Sequence, residues 1–133
     1  MIKGFSEQTS PMTEYETTVL LPVILQGLKD KQGKRNAVTN TYIVGRLKKA
    51  GFSINDARLR KVINHIRTND LLPGLIATSE GYFLAQSAQE LMDYEDSLRG
   101  REEAIREVRM AIARQRRILY RDAQRAVQQT LNF

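Results

Sequence analysis

A glycine between two short amphipathic stretches constrains the fold of this chain more than any other feature. Before Gly51, apolar residues recur at helical spacing over residues 41–50 and leave the cations of that stretch exposed. Gly51 is suited to the left-handed conformation that ends a helix, and Phe52 follows it as an apolar contact. Ser53 and Asp56 then have the spacing of a new helix N-terminus. The chain is therefore expected to form two short helices joined by a tight turn.

The second of these helices is predicted over about residues 54–68 and is followed by two short apolar runs. Its buried stripe is expected to consist of Leu59, Val62, Ile63 and Ile66. The apolar runs, residues 75–78 and 82–85, are separated by a loop that ends in Gly81, which is typical of a β-hairpin. Two helices, a tight turn and a hairpin in this order predict a winged helix-turn-helix, with the hairpin as the wing.

The same region resembles the small winged helix-turn-helix proteins of bacteriophages, prophages and other mobile elements. The matching segments are residues 36–39 before the first helix, 59–67 in the second helix and 79–85 in the wing. The resemblance implies the fold and DNA binding, and it implies a role in the transcription or replication of such an element.

Positive charge is concentrated in this motif. Residues 29–67 contain eleven Lys or Arg and two Asp, whereas residues 68–98 contain six acidic residues and no Lys or Arg. Such a block favours a polyanionic partner, and Arg, Lys and Asn can contact phosphates or base edges in the major groove of duplex DNA. The residues predicted to bind DNA are Lys34, Arg35, Lys48, Lys49, Arg58, Arg60, Lys61 and Asn64.

A second interpretation of these charges makes the protein an interaction module that binds another protein. In that case the cationic helix is an ordinary solvated face, and the winged domain and the arginine-rich C-terminal helix serve in assembly. The tip of the wing is compatible with this alternative, because Glu80 is poorly suited to a minor groove. The salt dependence of binding to duplex DNA separates the two interpretations.

The flanking sequences complete the predicted domain organisation. Residues 1–12 have no apolar period and are expected to form a flexible N-terminal arm, ahead of a winged domain over residues 13–86. Thr13 and Glu16 have the spacing of a capping box, so a helix is expected to begin there. Because proline removes one hydrogen bond and clashes with the preceding turn, either this helix kinks at Pro22 or its regular part begins near Leu21, and one kinked helix is the favoured alternative.

Residues 87–133 are predicted to form a long helical extension that serves as a dimerisation stalk. Ser87 and Glu90 have capping-box spacing, and apolar residues then recur at every seventh position, although several positions three residues further on are polar. A second copy of the chain is the expected partner for this row. The predicted contact residues are Leu98, Ile105, Val108, Ile112 and Leu119. Gly100 leaves open a hinge that divides the helix in two.

Composition argues against an enzyme and against a membrane protein. The chain has no cysteine and one histidine, His65, which stands alone on a cationic helix. No catalytic, metal or cofactor site is therefore expected. No apolar run reaches the ~18 residues that a membrane span needs, and no secretion signal is recognisable at the start. These observations predict a non-enzymatic, cytoplasmic protein whose fold is mostly α with one small hairpin and a long C-terminal helix.

Overall fold

The computed structural model describes residues 5–131, without the side chain of Phe5, and residues 1–4 and 132–133 lie outside this description. The chain divides into two compact units, of which the first ends at Leu91 and the second begins at Met92. The described part is mostly helical. Its regular elements are α1 (Phe5–Thr9), α2 (Leu21–Leu28), α3 (Asn40–Lys49), α4 (Asp56–Thr68), β1 (Leu75–Thr78), β2 (Gly81–Leu84) and α5 (Ala88–Leu131).

Residues 5–11 differ from the flexible arm expected over residues 1–12. Helix α1 packs against α4, and backbone carbonyls of Glu7, Ser10 and Pro11 accept hydrogen bonds from Arg58 in the first turn of α4. The flexible arm was expected because residues 1–12 have no apolar period. Residues 5–11 are instead attached by polar contacts to Arg58, which lies far from them in the sequence. Residues 1–4 of the expected arm lie outside the described residues.

The helix predicted from Thr13 is present, and its capping box is confirmed. The backbone N–H of Thr13 donates to Glu16 Oε1 at 2.9 Å, and the backbone N–H of Glu16 donates to Thr13 Oγ1 at 3.1 Å. A π-helical segment, Glu16–Leu20, lies between this cap and α2, and Pro22 follows at the start of α2. The proline ring would clash with the carbonyl of Thr18 in a regular α-helix, and the wider π turn provides the room that it needs.

The glycine turn between α3 and α4 is confirmed. The side chain of Thr39 caps the start of α3, and Gly51 has a φ angle of 94° after its last turn. The N–H of Gly51 donates to the carbonyl of Lys48 at 3.0 Å and that of Phe52 to the carbonyl of Leu47 at 2.9 Å, which is the Schellman arrangement.

Helix α4 starts two residues later than predicted, because its N-cap is Asn55 and not Ser53. Asn55 accepts from the backbone N–H of Arg58 at 2.8 Å, whereas the backbone N–H of Ser53 donates to the hydroxyl of Tyr15 at 3.1 Å. Ile54, expected as the first helical residue, is instead buried in the core ahead of the helix. Both Ser53 and Asn55 are residue types that cap helices, so local sequence left the choice to tertiary contacts.

The hairpin is antiparallel and tighter than predicted, since Gly81 pairs with Thr78 as the first residue of β2. The other edge of β2 is covered by the segment before α3. Val38 and Tyr82 exchange two backbone hydrogen bonds, of 3.0 and 2.7 Å, and Leu84 bonds to Gly33 and Lys31. Gly81 has a φ angle of 121°, and a Cβ atom there would collide with the backbone carbonyl of Val38. The hairpin is thereby fixed against the start of α3.

One core joins the helices and the hairpin of the first unit. The predicted stripe of α4 is confirmed, since Leu59, Val62, Ile63 and Ile66 are at most 2% exposed. The other apolar members of this core come from the π-helical segment, α2, α3, the turn and the hairpin: Leu20, Ile24, Leu28, Val44, Leu47, Ile54, Leu75, Tyr82 and Leu84. The core therefore leaves the opposite face of α4 open to solvent.

The second unit is a single helical stretch, the part of α5 from Met92 onward. Helix α5 has 44 residues and no buried side chain, and it continues through Gly100 without a break. At about 1.5 Å per residue it is about 66 Å long. The residues of the predicted dimerisation row are all exposed within this chain: Leu98, Ile105, Val108, Ile112 and Leu119. None of the helices in the described part of the chain has the length and apolar character required to cross a membrane.

Candidate nucleic-acid interface

The outward face of α4 carries polar and cationic side chains opposite the buried stripe. Arg60 and Asn64, one helical turn apart, are exposed, and Lys61 is half-buried beside them. Because residues four apart lie on the same face of a helix, the core contacts of Leu59 and Ile63 direct Arg60 and Asn64 outward. These three predicted residues therefore lie side by side, with donors that fit phosphate oxygens and base edges.

A chain of hydrogen bonds holds the N-terminal ends of α3 and α4 against the hairpin. The hydroxyl of Tyr82 donates to Asn40 Oδ1 at 2.7 Å, and Asn40 Nδ2 donates to the backbone carbonyl of Asp56 at 3.2 Å. Burial raises the pKa of Tyr82, and the positive charges of Arg60 and Arg67 oppose that change. The hydrogen bonds through Asn40 bring Tyr82 of β2 next to the first residue of α4.

Two further predicted residues lie in a 3-10 turn, Lys34–Asn36, that contacts the hairpin. Lys34 Nζ is 3.3 Å from a carboxylate oxygen of Glu80 at the hairpin tip, and both side chains are more than half exposed. Arg35, beside Lys34, is also exposed. A solvated pair of this kind contributes little to stability, at most about 1 kcal/mol, so the ammonium group of Lys34 can readily exchange Glu80 for another anion. The pair also offsets the negative charge of Glu80.

The last two predicted cations, Lys48 and Lys49, lie in the last turn of α3. Both are exposed, and Lys48 lines a shallow hollow together with Asn55 and Arg58 at the start of α4. Arg58 and Arg60 are two residues apart in the sequence, so their side chains point to nearly opposite sides of α4. Lys48 therefore lies beside the first turn of α4, whereas Lys34 lies beside the tip of the hairpin.

Arg58 is the exception among the predicted DNA-binding residues, because it forms an internal ion pair. Its Nε donates to Glu16 Oε2 at 2.7 Å and its Nη2 donates to Glu16 Oε1, while the side chains of Arg58 and Glu16 expose only 15% and 6% of their surface. With the carbonyls of Glu7, Ser10 and Pro11 as further acceptors, all five N–H groups of the guanidinium are used. Arg58 therefore has no N–H group left for a phosphate or a base, and the prediction that it contacts DNA is wrong.

The charge state of this pair follows from the same contacts. Hydrogen bonds from the guanidinium of Arg58 lower the pKa of Glu16, although burial opposes this change. The pKa of Arg58 is raised for the reciprocal reason. Both side chains are therefore charged over the whole physiological range, and the charge of Arg58 is neutralised internally by Glu16.

Helical spacing contains a signal that separates Arg58 from its neighbours. Arg58 precedes the buried Val62 by four residues, whereas Arg60 precedes the exposed Asn64 by four. The residue at the edge of a buried stripe is the one that a neighbouring segment can cover. Sequence reasoning also missed Asn40 and Tyr82, which align the two helices with the hairpin, and no local pattern marks them as partners.

The described residues 5–131 contain no group of three or more His, Cys, Asp or Glu side chains arranged to hold a metal ion. Comparison of the chain with family profiles, with curated proteins and with solved structures finds no match.

Proposed function

We propose that this protein is a winged helix-turn-helix that binds duplex DNA without catalysing a reaction. In this arrangement α3 and α4 are the two helices of the motif, α4 enters the major groove, and the hairpin is the wing. The observation that carries the proposal is the outward face of α4, on which Arg60 and Asn64 are exposed beside Lys61, in a unit whose other exposed cations include Lys34, Arg35, Lys48 and Lys49.

The direct contacts in this proposal divide into two sets. Arg60, Lys61 and Asn64 are assigned to base edges, because they lie on the outward face of α4. Lys34, Arg35, Lys48 and Lys49, which are exposed outside α4, are assigned to phosphate contacts, which orient a protein on the duplex without reading sequence. Arg58 has a structural role, since it attaches residues 7–16 to the first turn of α4.

Binding of fluorescent duplexes of random sequence, measured by anisotropy over a range of salt concentrations, tests this proposal. We expect affinity to fall steeply with salt, because cations that neutralise phosphates release counterions. The double variant Arg60→Glu with Lys61→Glu is expected to weaken binding about 100-fold, because two donors to base edges are replaced by anions that repel the duplex.

The matched control reverses two other exposed cations of the same unit. Lys29 follows the end of α2, and Arg46 lines a groove between α2 and α3. The variant Lys29→Glu with Arg46→Glu has the same net charge as the α4 variant and is expected to retain most of the affinity. Absence of binding at low salt, or an equal weakening in the two variants, would show that α4 is not a DNA-reading helix.

A protein-interaction module is the second candidate function, and the groove between α2 and α3 favours it. This groove of about 320 Å³ is lined mainly by apolar side chains, including Val23 and Tyr42, which are 37% and 55% exposed. Exposed apolar side chains beside a groove are suited to a partner protein. If Tyr42→Ala abolishes a partner complex while duplex binding is absent in the unaltered protein, this second function is the correct one.

The biological setting and the oligomeric state belong to the same proposal. The resemblance to winged proteins of phages and mobile elements supports a cytoplasmic role in the transcription or replication of such an element. The exposed apolar row of α5 supports a homodimer, because an isolated helix gains no stability from an apolar face in water. A dimer would present two copies of α4 to two half-sites.

A further inference from the structure

The charges along α5 are divided between its two halves. Between Glu90 and Glu107 the helix carries seven acidic residues and three arginines, whereas between Val108 and Leu131 it carries six arginines and one aspartate. A second copy aligned in the same direction would place like charges side by side, and one aligned in the opposite direction would place opposite charges side by side. This difference identifies the direction in which two copies can pair.

The apolar row defines which residues of α5 face a partner. Leu98, Ile105, Ile112 and Leu119 are spaced by seven residues, and Val108 lies three positions after Ile105. Within the chain, Ile105, Val108 and Leu119 are 68%, 63% and 69% exposed. Apolar side chains with this spacing form the seam between two helices in a coiled coil.

The positions that border this seam on one side carry an ordered set of charges. Leu91 lies seven residues before Leu98 and extends this row, and the residues four positions after Leu91, Leu98, Ile105 and Ile112 are Glu95, Glu102, Arg109 and Arg116, all of them exposed. In the monomer Glu95 contacts Arg99 of its own helix at 3.3 Å, and both side chains of this pair are more than half exposed. Such a solvated pair is weak enough to be exchanged for a contact with another chain.

We infer that two copies of α5 pair in antiparallel orientation, with Ile105 of each copy packed against Val108 of the other. In an antiparallel pair the bordering positions on one side face the same positions of the second helix. In this alignment Glu102 faces Arg109 and Glu95 faces Arg116, and the two-fold symmetry repeats both contacts. All four facing pairs are then attractive.

The other side of the seam is compatible with close approach of the two helices. Its bordering positions include Ala104 and Ala111, which face each other across the antiparallel pair. Small side chains allow helices to approach closely without displacing the seam residues. The long side chain of Arg101, which lies within the seam opposite Ile112, can extend its charged end to solvent.

A parallel pair does not provide these contacts. There, the charged positions face the opposite border of the seam, so Glu102 meets Ser97 and Arg109 meets Ala104. Neither pair is attractive, and near the start of the helix Glu90 faces Glu95. Charge complementarity therefore favours the antiparallel arrangement.

This inference rests on the self-association proposed above, but not on DNA binding, so its experiments are done without DNA. The chain has no cysteine, so one introduced cysteine carries a single spin label per copy. Gln124→Cys places the label on the outer face near the end of α5. Pulsed electron resonance should give a distance of about 50 Å between two such labels in the antiparallel pair, because they lie some 35 residues apart along the axis at ~1.5 Å per residue.

Met110→Cys provides the matched control, because it lies on the same outer face near the centre of the pairing. Its labels are expected about 20 Å apart in either orientation, since helices of a pair are separated by ~10 Å and the labels lie on their outer sides. A distance of about 20 Å for Gln124→Cys would establish a parallel pair and overturn the inference. A monomer in light scattering, with no dipolar coupling for either variant, would also overturn it.

Charge reversal tests the alignment itself. Glu102→Arg and Arg109→Glu are each expected to weaken dimerisation at least tenfold, because each variant turns two attractive contacts into repulsive ones. The double variant restores opposite charges across the pair and is expected to recover the original dissociation constant. Glu103→Arg, on the outer face, is the control and should change it less than threefold. Failure of the double variant to recover affinity would show that residues 102 and 109 do not face each other.

Discussion

The two units use the same apolar residue types in different ways. In the first unit Leu59 and Ile63 of α4 are completely or almost completely buried by α2, α3 and the hairpin, whereas Ile105 and Ile112 of α5 expose more than half of their surface. Both helices are amphipathic, so periodicity alone does not distinguish them. An apolar stripe therefore identifies a contact surface, but the identity of the contacting segment depends on which elements the chain can bring to it.

The largest expected effect concerns the core of the first unit. Leu59→Ala removes a fully buried side chain and is expected to lower the free energy of unfolding by about 4 kcal/mol, because apolar burial decreases and a cavity remains. Ile105→Ala is the matched change in α5 and should leave the stability of the first unit unchanged. Amide hydrogen exchange at Val62 and Ile63 measures the free energy of unfolding of the first unit in both variants. Equal destabilisation would mean that the two units are not independent.

The ion pair between Arg58 and Glu16 is the next test of this comparison. Arg58→Met leaves the carboxylate of Glu16 buried without its partner, and we expect a destabilisation of about 3 kcal/mol in urea unfolding. Adding Glu16→Leu should recover most of that stability, because no unpaired charge then remains. Arg99→Met is the matched control in α5, whose arginine is exposed, and it should cost less than about 0.5 kcal/mol. A similar cost for both arginines would contradict the structural role of Arg58.

Two glycines should respond to the same substitution with opposite signs. Gly81→Ala is expected to destabilise the hairpin by about 2 kcal/mol or more, since φ is positive and the backbone of Val38 occupies the space for a methyl group. Gly100→Ala meets no neighbouring atom within 4 Å and should stabilise α5 locally by up to about 1 kcal/mol. Thermal unfolding measures the first variant and amide exchange near residue 100 the second. Stabilisation by Gly81→Ala would contradict the described hairpin.

The smallest effect is a dependence of stability on acid. The folded protein lowers the pKa of Glu16 below its unfolded value, so this stabilisation is fully present above the ordinary glutamate pKa of about 4.3. It disappears as pH falls from there through the lowered pKa. Each tenfold change in proton affinity corresponds to about 1.4 kcal/mol. Denaturation of the first unit between about pH 5 and pH 2 should show this decrease, and Glu16→Gln should reduce the pH dependence. If the pH dependence of stability is the same in Glu16→Gln as in the unaltered protein, Glu16 is not its cause.

Local patterns predicted α2, α3, α4 and the hairpin because the causes of these elements lie within a few residues, whereas α1 was not predicted. The turn at Gly51, the stripe of α4 and the capping box of Thr13 and Glu16 each depend on contacts inside one helix or turn. Choices between equivalent residues were less predictable. Ser53 and Asn55 can both cap a helix. Asn55 is the residue that caps α4, whereas the backbone N–H of Ser53 donates to the hydroxyl of Tyr15.

The candidate interface was predictable to the extent that helix geometry determines exposure. The buried stripe of α4 predicts which residues of that helix face solvent, and these include Arg60, Lys61 and Asn64. A position in a turn or at a helix end predicts the exposure of Lys34, Arg35, Lys48 and Lys49. All of these residues lie in one cationic block of the sequence. Arg58 did not follow, because its partner Glu16 lies 42 residues away and also belongs to a local capping box. Charge counts do not distinguish a cation available to a ligand from one neutralised inside the protein.

The helical periods, the turn at Gly51, the hairpin and the block of positive charge were predictable from the sequence alone, because each arises from residue type and spacing over short distances. Tertiary contacts were needed to show that Arg58 is internal, that Asn40 and Tyr82 align α3 and α4 with the hairpin, and that the apolar row of α5 remains exposed. These features depend on contacts between residues far apart in sequence. Such contacts form only when several elements pack together, so no local pattern contains them.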